Sequence, residues 1–276
     1  MHWQFLFRLS LDSIYFLLKM VNNDNICVLN IPGVNGLGVT VGTRDSGKKV
    51  LKGLDVDFET VDVDNFNVEN QERVIYERAL KCFENNKIGL FLGGDHSISY
   101  STCKAFLEGC KLKDSEGVLI VFDAHVDLMI PMKNPTHEEW LRALIEKGFD
   151  VENIVIIGAR KVYDQEKEFL EKNKIKMISV EEIREDRLGV FDWLKDFCNG
   201  KEIYVSLDID VIDPEFVKGT HYLEPSGLSV DEVEYFVEMF GGFESLRGFD
   251  LVEINLDKDD GNTVEIGRGI LRRILR

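Results

Sequence analysis

The chain has 276 residues, 44% of them hydrophobic, and a formal net charge of −17. This charge argues against nucleic acid and acidic membranes as partners, because both require a basic surface. It would attract a small cation, although a generic acidic surface is the more ordinary explanation. The length suits one α/β domain with a well-buried core, and no linker-like tract divides it.

Residues 1–19 are mostly apolar, apart from Arg8 and Asp12. The segment is too short and too charged to span a bilayer, and it lacks the basic start and small-residue cleavage site of a signal peptide. It is either a peripheral helix that packs on the domain or on a partner, or an untranslated stretch before a start at Met20. We favour the second interpretation, which leaves residues 20–276 as the folded domain.

The segment Gly42-Thr-Arg-Asp-Ser-Gly-Lys-Lys49 comes close to the phosphate-binding pattern G-x-x-x-x-G-K-[ST]. Lys49 stands where that pattern needs a hydroxyl group for Mg²⁺. We therefore interpret the segment as a glycine- and lysine-containing loop before a helix, not as a nucleotide site.

Eight apolar runs alternate with amphipathic segments along the chain. The runs predict strands at residues 26–31, 58–63, 88–92, 118–122, 154–157, 176–180, 203–207 and 247–252. Helical patterns cover residues 71–84, 138–147, 164–172 and 230–240. This alternation is typical of a parallel sheet with helices on both faces. We predict a single three-layer α/β domain with an eight-stranded, mostly parallel sheet.

Five cysteines are scattered through the chain. They are Cys27, Cys82, Cys103, Cys110 and Cys198. They form no C-x-x-C pair and no recognisable disulfide framework, which is typical of a reducing compartment. We expect free thiols in a cytoplasmic protein.

Three potential metal ligands follow the run 118–122 at alternate positions. They are Asp123, His125 and Asp127. Alternate residues of an extended segment point the same way, so these side chains should share one face while Ala124 and Val126 occupy the other. Taken alone, the string also fits a strand followed by a polar loop with a hydrogen-bonded histidine. It predicts half of a metal site if other strand ends supply more ligands.

Other predicted strands end in similar residues. Asp208 and Asp210 follow the run 203–207, His96 follows the run 88–92 through two glycines, and Glu253 follows Val252. Each has an ordinary structural explanation, such as a helix cap beside His96 or an exposed acid at Glu253. Ligands in open α/β sheets gather at the carboxyl ends of the strands, so four such ends favour one shared site.

The number of ligands indicates the kind of site. Two histidines and four aspartates exceed what one four-coordinate zinc ion needs, and no cysteine is among them. Carboxylate-rich, imidazole-poor coordination suits Mn²⁺, so we predict two adjacent Mn²⁺ ions per subunit. The six ligands are His96, Asp123, His125, Asp127, Asp208 and Asp210.

Three segments resemble the signature segments of the ureohydrolases, the family of arginase and agmatinase. They are Gly93-Gly-Asp-His-Ser97, Asp123-Ala-His-Val-Asp127 and Ser206-Leu-Asp-Ile-Asp-Val-Ile-Asp-Pro214. The resemblance implies an arginase-like catalytic domain. It implies that one Mn²⁺ ion is bound by His96, Asp123, Asp127 and Asp208. The other ion would be bound by His125, Asp123, Asp208 and Asp210, with Asp123 and Asp208 bridging the pair.

The resemblance assigns two further residues to catalysis. Glu253 matches the family acid that holds the substrate guanidinium, and His137 matches a proton-shuttling histidine at a spacing more like agmatinase than arginase. The implied reaction is hydrolysis of a small cationic guanidino substrate to urea and an amine by a metal-bridging hydroxide. Agmatine, which would give putrescine and urea in polyamine biosynthesis, is the first candidate. The resemblance also suggests a homotrimer or homohexamer.

Three loops depart from the family pattern. Residues 31–48 lack the usual proline-glycine-alanine-arginine and glycine-proline strings. Glu138 replaces the glycine after His137, and residues 221–223, His-Tyr-Leu, replace part of a glycine- and threonine-rich run. The charge of Glu138 would favour a substrate with a distal cation, and the bulk at 221–223 would narrow the pocket.

Several alternatives remain open. The substrate could instead be arginine, guanidinobutyrate or formiminoglutamate. Binuclear phosphoester hydrolysis also uses D-x-H and aspartate ligands, but no G-N-H-[DE] segment follows Asp123. A metal-binding relative without catalytic activity is the alternative of a different class, because residues 221–223 alter the pocket.

Overall fold

The computed structural model describes residues 25–275, so the apolar segment 1–19 and the predicted start at Met20 lie outside it. Its centre is an eight-stranded sheet in which all neighbouring strands are parallel. The strands are β1 (Ile26–Asn30), β2 (Glu59–Thr60), β3 (Ile88–Leu92), β4 (Gly117–Phe122), β5 (Ile154–Ile157), β6 (Lys176–Ile178), β7 (Glu202–Asp208) and β8 (Leu246–Val252). Their order across the sheet is β2-β1-β3-β8-β7-β4-β5-β6. The predicted single α/β domain with an eight-stranded parallel sheet is confirmed.

Helices cover both faces of this sheet. They are α1 (Ser46–Leu51), α2 (Val68–Glu84), α3 (Ile98–Leu112), α4 (Trp140–Glu146), α5 (Asp164–Asn173), α6 (Val180–Glu185), α7 (Arg187–Cys198), α8 (Val230–Gly241) and α9 (Asn262–Ile274). Helices α2, α3 and α4 contribute to the core on one face, and α7, α8 and α9 to the core on the other. Within the described chain, no helix is both long and apolar enough to cross a membrane.

Strand β4 shows how the sequence produces the two cores. Val118, Ile120 and Phe122 belong to one core, and Leu119 and Val121 to the other. All six residues of the strand are buried, as expected where helices cover both faces of a parallel sheet. Full burial of each large side chain contributes about 1.5–3 kcal/mol. A continuous apolar run is therefore stable here as a central strand.

Strands β2 and β6 are shorter than predicted by two or more residues, and β1 ends one residue before its predicted end. Strand β2 is an exposed edge strand that pairs with β1 at only two positions, Glu59 and Thr60, so it covers only part of the predicted strand 58–63. Strand β6 ends at Ile178 because Ser179 caps α6. The Ser179 hydroxyl accepts a hydrogen bond from the Glu182 backbone, and the Glu182 carboxylate accepts one from the Ser179 backbone. This capping box makes Val180 the first residue of a helix.

The expectation that the cysteines form no disulfide was wrong for one pair. Cys27 of β1 and Cys82 of α2 are joined, with Cα atoms 5.7 Å apart. They are 55 residues apart in the chain, so the pair depends on how α2 packs beside β1 and cannot be recognised from spacing. Cys103, Cys110 and Cys198 are buried free thiols.

Candidate metal centre

The four strands that lead to the predicted ligands are neighbours at the middle of the sheet, in the order β3-β8-β7-β4. Their ends are level, because the last or second-last residues of adjacent strands pair with each other. His96, Asp123, Asp208 and Glu253 therefore meet at one edge of the sheet, as expected for parallel strands.

Two glycines bring His96 over this edge. Gly93 and Gly94 have φ angles of 91° and 75°, a region that glycine adopts without steric cost. A Cβ atom at Gly94 would lie 2.2 Å from the carbonyl oxygen of Gly33. The chain can thus turn sharply out of β3 only because both positions lack a side chain.

His96, Asp123 and Asp127 form one group of potential ligands. The Nδ1 atom of His96 lies 2.9 Å from Asp123 Oδ2, 3.1 Å from Asp127 Oδ2 and 3.4 Å from Asp208 Oδ2. All four side chains are buried. One imidazole nitrogen thus faces three carboxylate oxygens.

Asp123, His125 and Asp210 form the second group. The Nδ1 atom of His125 lies 3.0 Å from Asp210 Oδ2 and 3.3 Å from Asp123 Oδ1. Asp123 therefore offers one oxygen to each group. Asp208 lies between the groups, because its Oδ2 faces His96 while its Oδ1 accepts a 2.8 Å hydrogen bond from the Asp210 backbone. All six predicted ligands are brought together in one cluster.

The unpaired atoms of the cluster fit a divalent cation. His96 Nδ1 and Asp123 Oδ2 are buried and have no hydrogen-bond partner among the residues described, although they lie 2.9 Å apart. Leaving buried polar atoms unpaired is costly, so such atoms require an explanation. An ion that accepts both as ligands satisfies them at once, and the carboxylate-rich donor set suits Mn²⁺.

The carboxylates of the cluster are crowded. Burial raises the pKa of Asp208 well above its ordinary value, and the charges of Asp210 and Asp123 raise it further. Burial and the charge of Asp123 also raise the pKa of Asp127, to about 7. Both shifts reflect negative charge held close together away from water, which a bound cation relieves.

The two imidazoles are shifted by the same charges. Burial lowers the pKa of His96, but the surrounding carboxylates outweigh it and raise the pKa well above the ordinary value. For His125, burial is likewise outweighed by Asp210 and Asp123, so its pKa is raised. Each Nδ1 atom therefore faces a strongly negative space, which is where a cation would lie.

A hydrogen-bond network behind His96 was not predicted from the sequence. Ser206 Oγ lies 2.9 Å from His96 Nε2 and donates a 2.7 Å hydrogen bond to Asp250. Tyr204 and Ser99 donate to the other carboxylate oxygen of Asp250. Because the Ser206 hydroxyl donates its hydrogen bond to Asp250, its oxygen can accept one from the Nε2–H group of His96. The Nδ1 atom of His96 then carries no hydrogen and can bind a metal ion. The sequence feature that could have indicated this network is Asp250, a charged residue inside an apolar strand.

Trp140 supports Asp127 from the start of α4. Its indole N–H donates a 2.7 Å hydrogen bond to Asp127 Oδ2, and its ring lies 4.7 Å from that of His96. Asp127 has a φ angle of 49°, which residues other than glycine rarely adopt. The fully buried Trp140 therefore fixes the side chain of Asp127, a predicted ligand whose backbone is in an unfavourable conformation. Nothing in the local pattern pointed to this contact.

Glu253 lies beside the cluster with one oxygen free. Its Oε1 accepts a 2.9 Å hydrogen bond from the His96 backbone, whereas its buried Oε2 has no partner among the described residues. Burial raises the pKa of Glu253 well above its ordinary value, and the charges of Asp208 and Asp95 add to this. A cationic group bound beside Glu253 would keep the carboxylate ionised.

His137 lies in the same cavity as the cluster. Both of its ring nitrogens are buried without a hydrogen-bond partner in the described part of the chain. Its ring stacks on Tyr222, with centroids 6.0 Å apart and planes 21° apart. The loop before it is held by Glu139, which accepts a 3.0 Å hydrogen bond from the Thr136 backbone. The imidazole is thus fixed in position while its nitrogens stay available.

The cavity above the cluster encloses about 460 Å³, including space open to solvent. Three wall residues were not predicted from the sequence: Met129, Tyr163 and Glu166. Glu138 also lines it, and no lysine or arginine is among the described residues of its wall. The cavity is therefore acidic from the metal ligands to its mouth.

Of residues 221–223, Tyr222 lines the cavity, while Leu223 is 50% exposed. The Tyr222 hydroxyl donates a 3.3 Å hydrogen bond to Glu138. Burial raises the pKa of Tyr222 to about 12, and the charge of Glu138 contributes. Tyr222 therefore stays protonated at neutral pH and forms part of the cavity wall.

The loop 31–48 is tied to the cluster through Asp95. Asp95 Oδ2 accepts hydrogen bonds from the Asn35 backbone at 2.7 Å and from the Thr40 hydroxyl at 2.6 Å. The Asn35 side chain donates a 2.9 Å hydrogen bond to the carbonyl oxygen of Pro135, two residues before His137. The loop 31–48 is thus hydrogen-bonded to the site through Asn35 and Thr40, although it lacks the proline-glycine-alanine-arginine and glycine-proline strings of the family.

Comparison with known proteins gives concordant results. A model of the arginase family matches residues 42–276. An arginase of Staphylococcus aureus (strain MRSA252) is 30% identical over 289 aligned residues, which cover 88% of this chain and 94% of the arginase.

Two solved structures share the fold. Proclavaminate amidino hydrolase from Streptomyces clavuligerus has a TM-score of 0.79 at 22% identity and covers 91% of this chain and 90% of its own. Formimidoylglutamase from Bacillus subtilis has a TM-score of 0.80 at 20% identity and covers 90% of this chain and 85% of its own.

Proposed function

Since the chain belongs to the arginase family of hydrolases, which act on carbon–nitrogen bonds of linear amidines, we propose that it hydrolyses a guanidino compound to urea and an amine with two Mn²⁺ ions. The observation that carries the proposal is Asp123, whose two oxygens face His96 and His125 in a cavity that Glu253 also lines. One ion would be held by His96, Asp123, Asp127 and Asp208. The other would be held by His125, Asp123, Asp208 and Asp210. Residues 20–276 would form the catalytic domain.

The chemistry requires both activation and positioning. A guanidinium carbon is a poor electrophile, because resonance spreads its charge over three nitrogens. When bound, the two ions supply hydroxide at neutral pH, since a divalent ion can lower the pKa of water to about 7. Glu253 would bind two N–H groups of the guanidinium through a bidentate pair and so hold the carbon over the cluster. Its unpaired Oε2 supports this role.

His137 would provide the proton for the departing amine. Cleavage of the C–N bond to the substrate chain would leave urea, and the departing amine would take its proton from the His137 imidazolium, which one consumed water would replenish overall. Imidazole titrates in the range that such a transfer needs. The two partner-free nitrogens of His137 and its place in the cavity support the assignment.

Agmatine is the substrate that the cavity favours. Arginine, guanidinobutyrate and formiminoglutamate all carry a carboxylate, which would enter an acidic cavity that offers no lysine or arginine in its described wall. Agmatine carries an ammonium group and no carboxylate, and Glu138 at the mouth provides an opposite charge to that ammonium. The products would be putrescine and urea, which places the reaction in polyamine biosynthesis. By the family resemblance we also propose a homotrimer or homohexamer, located in the cytoplasm; three of the five cysteines are free thiols, and the Cys27–Cys82 disulfide is the exception to what a reducing compartment predicts.

A substrate panel tests the proposal. Protein reconstituted with Mn²⁺, and the same protein after chelation, would be assayed for urea release from agmatine, arginine and guanidinobutyrate, and for formamide release from formiminoglutamate. We expect Mn²⁺-dependent urea release, fastest from agmatine. Protein shown to hold two ions that releases no product from any of the four would contradict the proposal and favour a metal-binding protein without this activity.

A further inference from the structure

Arg160, in the loop after β5, makes an unusual set of contacts. Its guanidinium donates hydrogen bonds to five backbone carbonyl oxygens, at distances of 2.6–3.2 Å. The acceptors are Gly158, Asp210, Val211, Glu224 and Pro225. Two of them belong to the turn that carries Asp210, and two to the loop just after Tyr222. One side chain thus joins two segments of the site.

Hydrogen bonds link Arg160, Asp210 and Ala124 into a ring beside the second group of ligands. The Asp210 carbonyl accepts a 2.8 Å hydrogen bond from Arg160, and the Asp210 carboxylate accepts a 3.0 Å bond from the Ala124 backbone. The Ala124 carbonyl in turn accepts 2.9 and 3.0 Å bonds from the backbones of Arg160 and Lys161. Asp210 is therefore fixed relative to the segment that carries His125.

The chemistry of the position is specific to arginine. A guanidinium has five N–H donors in a rigid plane, whereas a lysine ammonium has three donors and no plane. Gly158 lets the loop after β5 lie close to Val211, because a Cβ atom at position 158 would lie 2.6 Å from the Val211 side chain. Glu224, held by Arg160 through its carbonyl, places a carboxylate oxygen 3.9 Å from His125 Nε2.

We propose that Arg160 is a positioning residue for the second metal ion. By holding the backbone of Asp210 and of the loop around Glu224, it sets the distance between Asp210 and His125 and the place of Tyr222 at the cavity wall. Two proposed ligands belong to the first ion alone, His96 and Asp127, and Arg160 contacts neither of them. The inference rests on the metal binding in the proposed function, but not on the identity of the substrate.

Manganese titration of the folded protein tests this inference without turnover. Parent protein, Arg160→Gln, Arg160→Lys and Arg184→Gln would be titrated with Mn²⁺ by calorimetry, and electron paramagnetic resonance would distinguish coupled ion pairs from single ions. Arg184 is the matched control, because it donates a 2.8 Å bond to the Gly227 carbonyl of the same loop but does not contact Asp210. Circular dichroism would establish that each variant is folded.

For Arg160→Gln we expect one tightly bound ion, with the affinity for the second lowered about tenfold or more and the coupled signal lost. Arg160→Lys should show a smaller loss, and Arg184→Gln should bind both ions like the parent. Equal binding of both ions by Arg160→Gln and the parent would overturn the inference, as would an equal loss of both ions. Parent protein that binds no ion pair would instead contradict the proposed function.

Discussion

The Nε2 atom of His96 lies 2.9 Å from the hydroxyl oxygen of Ser206. Ser206 in turn donates a hydrogen bond to Asp250, so Ser206 and Asp250 together fix the ring of His96 and direct its Nδ1 towards Asp123. Such indirect contacts orient a ligand and raise its basicity. Loss of such a contact should therefore lower the affinity for the metal ion.

Replacement of Ser206 by alanine should weaken Mn²⁺ binding about 10–100-fold, because His96 loses the partner that fixes its tautomer. The affinity would be measured by calorimetric titration of the chelated protein. Ser101 is also buried but lies on α3, so Ser101→Ala is the control and should leave the affinity unchanged. An unchanged affinity in Ser206→Ala would show that the hydroxyl does not support His96.

Replacement of Trp140 by phenylalanine should destabilise the protein while leaving the buried ring largely in place. The substitution removes the donor to Asp127 Oδ2, and a hydrogen bond to a charged group contributes about 1.5–3 kcal/mol. Urea unfolding of the metal-free protein at pH 9, above the pKa of about 7 of Asp127, would measure the loss while the carboxylate is ionised. Trp193→Phe, at a site 37% exposed, should change the free energy of unfolding much less. Equal effects of the two substitutions would argue against a role for the Trp140 N–H group.

Replacement of Glu138 by glutamine should raise the KM for agmatine and leave the KM for a guanidine without a distal cation, such as butylguanidine, unaffected. The side chain of Glu138 is 47% exposed, so an ion pair there contributes about 0.2–1 kcal/mol and KM should rise about 1.4- to fivefold. Steady-state urea release from both substrates would measure this. An equal rise in KM for butylguanidine would mean that Glu138 does not contact a distal cation.

Addition of Mn²⁺ should stabilise the folded protein, because the crowded carboxylates gain a counter-ion that the unfolded chain cannot hold in place. An ion at one hundred times its Kd contributes about 2.7 kcal/mol per site, which corresponds to a rise in Tm of about 5–10 °C for a domain of this size. Differential scanning calorimetry with and without chelator would measure it. Asp123→Asn should show almost no rise, whereas a full rise in that variant would place the ions elsewhere.

The parts of the fold and site that could be predicted are those set by local spacing. The alternate positions of Asp123, His125 and Asp127 after an apolar run are visible in the chain, and parallel strands then bring His96 and Asp208 to the same edge. Local capping explains why the sixth strand ends before its predicted end, since Ser179 caps the helix that follows.

The remaining features depend on contacts between distant segments. Ser206 meets His96 across 110 residues of sequence, and Arg160 meets Asp210 across 50. The pairing of Cys27 with Cys82 depends on the packing of α2 beside β1. No spacing rule identifies such contacts, because they follow from the register of the sheet and the packing of helices upon it.

The most direct test of the two-ion guanidine hydrolysis is urea release from agmatine by protein that carries two Mn²⁺ ions per chain, measured beside Glu253→Gln. The parent should release urea. Glu253→Gln should keep both ions but lose about thirtyfold or more in kcat/KM, because truncation of a buried charge pair costs about 2 kcal/mol or more. No urea from the parent, or loss of the ions together with activity in Glu253→Gln, would contradict the account.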